Sequence, residues 1–217
     1  LFVVVYNSAR TTYPSAVMQN LLGVPILESF SGRDPLKEII DEARAVGLKV
    51  HAWFEYGFAA SYSQNGGAII KAKPSWAARD INGSLLSKNN FEWLNAFDPE
   101  VQNFLLSLMK EVVTNYDIDG VQGDDRLPAL PSTGGYDDYT LSLYRSANGN
   151  ASPPTTSTDP KWVKWRAGLL NTYMKKIMNT KVVVDANFSN FSDNEKYKDP
   201  FFNFHQKRMN VSDSQNL

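Results

Sequence analysis

The residues most able to do chemistry lie in "YDIDGVQGDDRLP", residues 116–128, which sets Asp117, Asp119, Asp124, Asp125 and Arg126 around only two apolar side chains, Ile118 and Val121. The middle of this run alternates as a half-buried strand does, so Asp124 falls at the strand's C-terminal end on the same parity as Gln122. A second carboxylate, Glu55, ends the run "LKVHAWFEY" on the parity of Lys49, His51 and Trp53, whereas Val50, Ala52 and Phe54 form an apolar opposite face. Two carboxyl groups brought together at strand ends can share general acid and base work. The same oxygen-rich set also leaves a Ca²⁺ site open. Candidate catalytic residues are therefore Asp124, Glu55 and Asp125, with Asp185 competing for the partner role. Arg10, His51, Trp53, Trp93, Asn95, Gln122 and Arg126 are candidates for contacting or orienting a ligand, since indole faces stack on rings and the polar groups hold hydroxyls. Asp117 and Asp119, which precede the strand, read as turn or solvent residues.

The elements that must position these residues alternate strand and helix. "FVVVYNSA" reads as a buried strand, "RDPLKEIIDEARAVG" as a helix capped by Asp34, with Pro35 first and Gly47 as its stop. "LKVHAWFEY" is a second strand and "FEWLNAF" a third. Asp98-Pro99 opens a helix whose face is Val101, Phe104, Leu105, Leu108 and Val112. The acid-rich run is then strand four. Asp159-Pro160 starts a helix with Trp162, Trp165, Leu169, Tyr173 and Ile177 on one face, and "KVVVDANF" is strand five. Such alternation implies parallel strands joined by crossovers. Residues 56–90 and 127–158 read as long irregular excursions after strand ends, where an α/β barrel carries its ligand site. Residues 1–188 form one domain on this reading, and residues 189–217 an irregular polar tail.

Composition narrows the function classes. Lys and Arg number 22 against 23 Asp and Glu, a net charge of −1 with no basic stripe, which argues against nucleic acid as a partner. The longest apolar run, "LFVVVY", is too short to span a bilayer. No cysteine is present, so thiolate metal sites, disulfides and cysteine nucleophiles are excluded. The two histidines, His51 and His205, lie far apart in sequence, and no metal or other cofactor is expected. Because the chain opens inside a strand, a fragment is expected, with any signal segment outside the sequence.

Three stretches, "RTTYPS", "DPLKEIIDEARAVGLKVHAWFEYGF" and "FEWLNAFDPEVQNFLLSLMKEVVTNYDIDGVQGDD", resemble in order the bacterial glycosyl-hydrolase-like family ten, over roughly residues 1–185. The resemblance implies a (β/α)8 TIM-type barrel, here incomplete with about five strand–helix units legible, and adds Tyr13 to the substrate-binding candidates. It implies hydrolysis of O-glycosidic bonds in a polysaccharide or cell-wall glycan, with Asp124 as catalytic carboxylate, a carbohydrate as partner, and a secreted or periplasmic/cell-envelope location. Gly120, Gln122 and Asp124 fall in the frame of the amylase-type G-x-R-x-D element, with Gln122 in place of arginine. Glycosidases need two carboxyl groups about 5–5.5 Å apart for retention, or roughly 6.5–9.5 Å for inversion. A barrel that binds carbohydrate without cleaving it, and an inactive fragment, are the alternative readings.

Overall fold

A computed structural model of the chain describes residues 1–123 and 125–179. Asp124, the expected fifth strand with Asp185, and the polar tail with His205 lie outside the described residues.

The central sheet has three parallel strands in chain order, β1 (Phe2–Val4), β4 (His51–Trp53) and β8 (Gly120–Gln122). Phe2, His51 and Gly120 lie in one register row, and Val4, Trp53 and Gln122 two residues further along, on the same face. The expected parity of the middle strand is present: Val50, Ala52 and Phe54 are fully buried, while His51, Trp53 and Glu55 are half-buried on the other face.

The Asp-Pro starts of the helices also hold. Helix α2 (Pro35–Ala45) begins where the Asp34 carboxylate accepts the Lys37 amide at 3.1 Å, and it ends two residues before Gly47, which takes φ +73°. Helix α4 (Pro99–Asn115) is capped by Asp98 on the Glu100 amide at 2.7 Å, and it buries the expected Val101, Phe104, Leu105, Leu108 and Val112. Each such side chain contributes about 1.5–3 kcal/mol by leaving water. Helix α6 (Pro160–Asn179) is capped by Asp159, which accepts the amides of Lys161 and Trp162, and it buries Trp162, Tyr173 and Ile177.

Three expectations are corrected. "FVVVYNSA" is not one strand: β1 gives way to a hairpin of β2 (Tyr6–Asn7) and β3 (Arg10–Thr11), whose two turn residues, Ser8 and Ala9, take φ of 45° and 58°. "FEWLNAF" does not join the parallel sheet. Its β7 (Phe91–Trp93) pairs antiparallel with β5 (Ala59–Tyr62) and β6 (Ser87–Lys88), so the acid-rich run falls on the third parallel strand, not the fourth. The backbone partners of β7 are already supplied within residues 59–88, so it has no edge to offer β4.

Nor are the two long excursions irregular. The first folds as β5, helix α3 (Gly67–Ala72) and β6; the second contains helix α5 (Asp138–Ala147), capped by Asp137 on the Thr140 amide. Helix α1 (Ala16–Leu22) follows the N-terminal hairpin, with Ser15 as its N-cap and Gly23 closing it at φ +71°. Across its first turn lies Glu111 of α4, whose carboxylate accepts Ser15 Oγ at 2.5 Å and the Ala16 amide at 2.6 Å.

Candidate active site

Just beyond the C-terminal end of β4, Glu55 is half-buried and accepts a hydrogen bond from the Asn7 side-chain amide. Asn7 reaches it because the β2–β3 hairpin turns back directly above β1. Arg10, opposite Asn7 in that hairpin, donates to the Ala9 carbonyl at 2.8 Å. The hairpin thus fixes one side of the carboxylate.

The backbone of Glu55 is fixed by the segment after β8. Arg126 donates from Nε to the Glu55 carbonyl at 3.0 Å, and the Phe58 amide donates to the Arg126 carbonyl at 2.9 Å. Gly57, at φ +48°, permits this approach: a Cβ there would stand 2.3 Å from the Arg126 carbonyl oxygen. The start of one excursion and the start of the other therefore meet backbone to backbone. The Arg126 guanidinium, largely covered, lies 4.7 Å from the Phe91 ring centre and 5.9 Å from that of Tyr56, and pairs with the exposed carboxylate of Asp125 at 3.1 Å.

One register row beneath Glu55's end of the strand, Trp53 Nε1 and Gln122 Oε1 are buried, and neither has a hydrogen-bond partner among the described residues. Trp93 shares Phe91's face of β7, and its Nε1 is likewise buried without a partner. Unmade hydrogen bonds of this kind are costly inside a protein and uncommon. Two donors and an acceptor are thus left over from the folding of these strands among the described residues.

Three candidates lie elsewhere. Tyr13 is fully buried; its hydroxyl donates to the Leu108 carbonyl at 3.4 Å and its ring meets Tyr116 edge-on, so it belongs to the core beneath α4. Burial raises its phenol well above the usual range, with Glu111 adding to the effect. Asn95 is also buried, donating to Asp137 Oδ1 at 2.7 Å and accepting the Phe97 amide at 3.0 Å, which ties the start of α5 to the chain after β7. Burial raises the Asp137 carboxyl above the ordinary aspartate value, against its hydrogen bonds from Thr140. His51 begins β4 rather than ending it: its ring stands 5.0 Å from Phe2, at the pole opposite Glu55.

That pole holds the acids read as turn residues. Asp119 Oδ2 accepts the Val50 amide at 2.7 Å and Arg44 Nη1 at 2.8 Å, while the more exposed Asp117 takes Arg44 Nε at 3.0 Å. The backbone bond and Arg44 together hold the Asp119 carboxyl below its ordinary value. Among the described residues no three His, Asp or Glu side chains converge as metal ligands, and no helix is long and apolar enough to cross a membrane.

Comparison with known proteins gives this site its setting. The sequence profile of the family described as Glycosyl hydrolase-like 10 matches residues 1–206. The chain belongs to this family. Among curated relatives, glycosyl hydrolase DigH of Escherichia coli (strain K12) is 33% identical over 109 residues, covering 43% of this chain and 23% of DigH. Glycosyl hydrolase YngK of Bacillus subtilis (strain 168) is 30% identical over 129 residues, covering 58% of this chain and 24% of YngK. The matches span about a quarter of the length of these two relatives. Among solved structures, the α-L-fucosidase isoenzyme 2 from Paenibacillus thiaminolyticus superposes with a TM-score of 0.63 at 19% identity, over 86% of this chain and 26% of that one. The PgaB (BpsB) glycoside hydrolase domain from Bordetella bronchiseptica gives 0.56 at 14% identity, over 85% of this chain and 54% of that one. The mixed α/β fold is shared with glycoside hydrolases; the described strands do not form a closed sheet.

Proposed function

We propose that β1, β4 and β8 are strands of a (β/α)8 barrel whose C-terminal end hydrolyses O-glycosidic bonds in a polysaccharide or cell-wall glycan. Asp124 serves as one catalytic carboxylate and Glu55 as the other. The observation that carries the proposal is the state of Glu55: a half-buried carboxylate at a strand's end, steadied by Asn7, with the unpartnered groups of Trp53 and Gln122 in the row below it. Membership of a glycosyl-hydrolase-like family supports the same reading. Asp124 follows Gln122, the last residue of β8, by two residues in the sequence.

In the reaction one carboxylic acid protonates the leaving oxygen while the other carboxylate attacks the anomeric carbon or deprotonates a water that does. The Asn7 amide donates to Glu55 and fixes its orientation at the strand's end, and we assign Glu55 the nucleophile or base role and Asp124 the acid role. Asp125, exposed and paired with Arg126, serves to hold that guanidinium. A glycan substrate of the envelope places the protein outside the cytoplasm, and cell fractionation reads that part directly.

The test is hydrolysis of a polysaccharide panel by the wild-type protein and Asp124→Asn, with thermal unfolding as control. Loss of about 10²–10⁴ in rate at unchanged unfolding temperature is expected. Glycan binding by a wild-type protein that cleaves no panel member would instead favour a non-catalytic carbohydrate-binding barrel.

A further inference from the structure

The small antiparallel sheet carries a feature that the carboxylate site does not use. Tyr62, the last residue of β5, keeps 46% of its surface exposed. A single exposed aromatic is ordinary. This one, however, is held on two sides: its ring meets Phe91 edge-on at 5.1 Å, and its hydroxyl accepts Asn90 Nδ2 at 3.2 Å.

The backbone around it is strained in a concentrated way. Ser63, Asn65, Asn89 and Asn90 all take left-handed φ between 51° and 64°, and the two turns that contain them are joined by the Ser63 amide donating to the Asn90 carbonyl at 2.8 Å. Left-handed backbone is unfavourable for residues other than glycine, and such conformations gather where a surface must be presented in one shape. The exposed side chains on these turns, with Gln64, are hydroxyls and amides without charge.

We infer that Tyr62 and the amide-bearing turns beside it form a glycan subsite, in which the tyrosine ring stacks on a sugar ring and the asparagine and glutamine amides bind its hydroxyls. The ligand class is an uncharged stretch of the same polysaccharide chain, so the inference rests on the carbohydrate reading above. The subsite is continuous with the carboxylates through contacts: Tyr62 lies on Phe91, Phe91 lies 4.7 Å from the Arg126 guanidinium, and Arg126 bonds the Glu55 carbonyl. A chain bound at Glu55 that runs across Phe91 meets Tyr62 next. Lys88, paired with Phe91 across the sheet, is the nearby charge that gives the acidic alternative its test.

Calorimetric titration of the whole protein with chitohexaose, cellohexaose and hexagalacturonate decides the matter, using wild type, Tyr62→Ala and Tyr62→Phe. Expected are binding of at least one uncharged hexasaccharide, weakening of about tenfold in Tyr62→Ala, and affinity within about twofold of wild type in Tyr62→Phe. Equal affinity of wild type and Tyr62→Ala would overturn the subsite and leave the carboxylate site standing. Selective binding of hexagalacturonate would overturn the uncharged ligand class. Failure of the wild type to bind any of the three would contradict the subsite and the carbohydrate reading together.

Discussion

The two poles of the parallel sheet use the same residue types to opposite ends. At the N-terminal pole Arg44, Asp117, Asp119 and the Val50 amide satisfy one another, and His51 packs on Phe2. At the C-terminal pole Trp53 Nε1 and Gln122 Oε1 are left without partners among the described residues, and the Glu55 carboxylate is steadied by the Asn7 amide. Charge at the first pole holds strands together, whereas polarity at the second is in excess of what folding uses. An acidic run is therefore not a site as a whole: Asp117 and Asp119 belong to the structural pole, although they lie within eight residues of Asp125.

Substitutions at the two poles should separate accordingly. The largest effect is expected for Glu55→Gln, which keeps the contact with Asn7 while removing the anion. Hydrolysis should fall by about 10²–10⁴ with unfolding little changed. A fall in stability without loss of rate would move Glu55 to the structural class.

Asp119→Ala should do the reverse. It leaves the buried Val50 amide unpaired and should lower stability by about 1–3 kcal/mol in denaturant unfolding, with turnover per folded molecule unchanged. Its pH dependence has a definite sign. The folded-state value of Asp119 lies below the ordinary 3.8, so its contribution is complete above that value and is lost as pH falls from it through the depressed folded value. Wild type and Asp119→Ala should therefore converge in stability below about pH 3.8, and parallel acid limbs would refute the assignment.

The smallest effect is expected for Asn7→Ala. Removing one hydrogen bond from Glu55 should reduce kcat by about tenfold or less, with KM nearly constant, since about 1 kcal/mol is the usual worth of such a bond. A rise in KM alone would make Asn7 a substrate contact instead.

Much of the scaffold was legible in the sequence because its signals are local. Each of the three Asp-Pro pairs supplies a side-chain cap and a first residue with the required φ, and each opens a helix as expected. The alternation of His51 to Glu55 against Val50 to Phe54 was equally readable, since parity follows from strand geometry alone. Pairing partners were not. Phe91–Trp93 has a strand's composition, but nothing in it distinguishes a parallel neighbour at β4 from antiparallel neighbours at β5 and β6.

The site was legible in part for the same reason. Glu55, Arg126 and Asp125 come together, and Trp53 and Gln122 adjoin them in register. Asn7 escaped notice because the Ser8-Ala9 turn carries no glycine to announce a hairpin, so the chain read straight through and gave Arg10 the strand parity instead. Tyr13 and Asn95 have the chemistry of ligand-binding residues, and only their burial and internal partners reveal them as structural. Tyr56 and Phe91 flank the Arg126 guanidinium, and nothing in their sequence neighbourhood signals that role.

The most direct measurement is a crystal structure of the Asp124→Asn protein soaked with an oligosaccharide from whichever polysaccharide the wild type degrades. The account predicts a sugar ring at the C-terminal pole, with hydroxyls within hydrogen-bond distance of Glu55, Trp53 Nε1 and Gln122 Oε1. Ligand at the Arg44–Asp119 pole, or Glu55 still held by Asn7 with no sugar in contact, would contradict it.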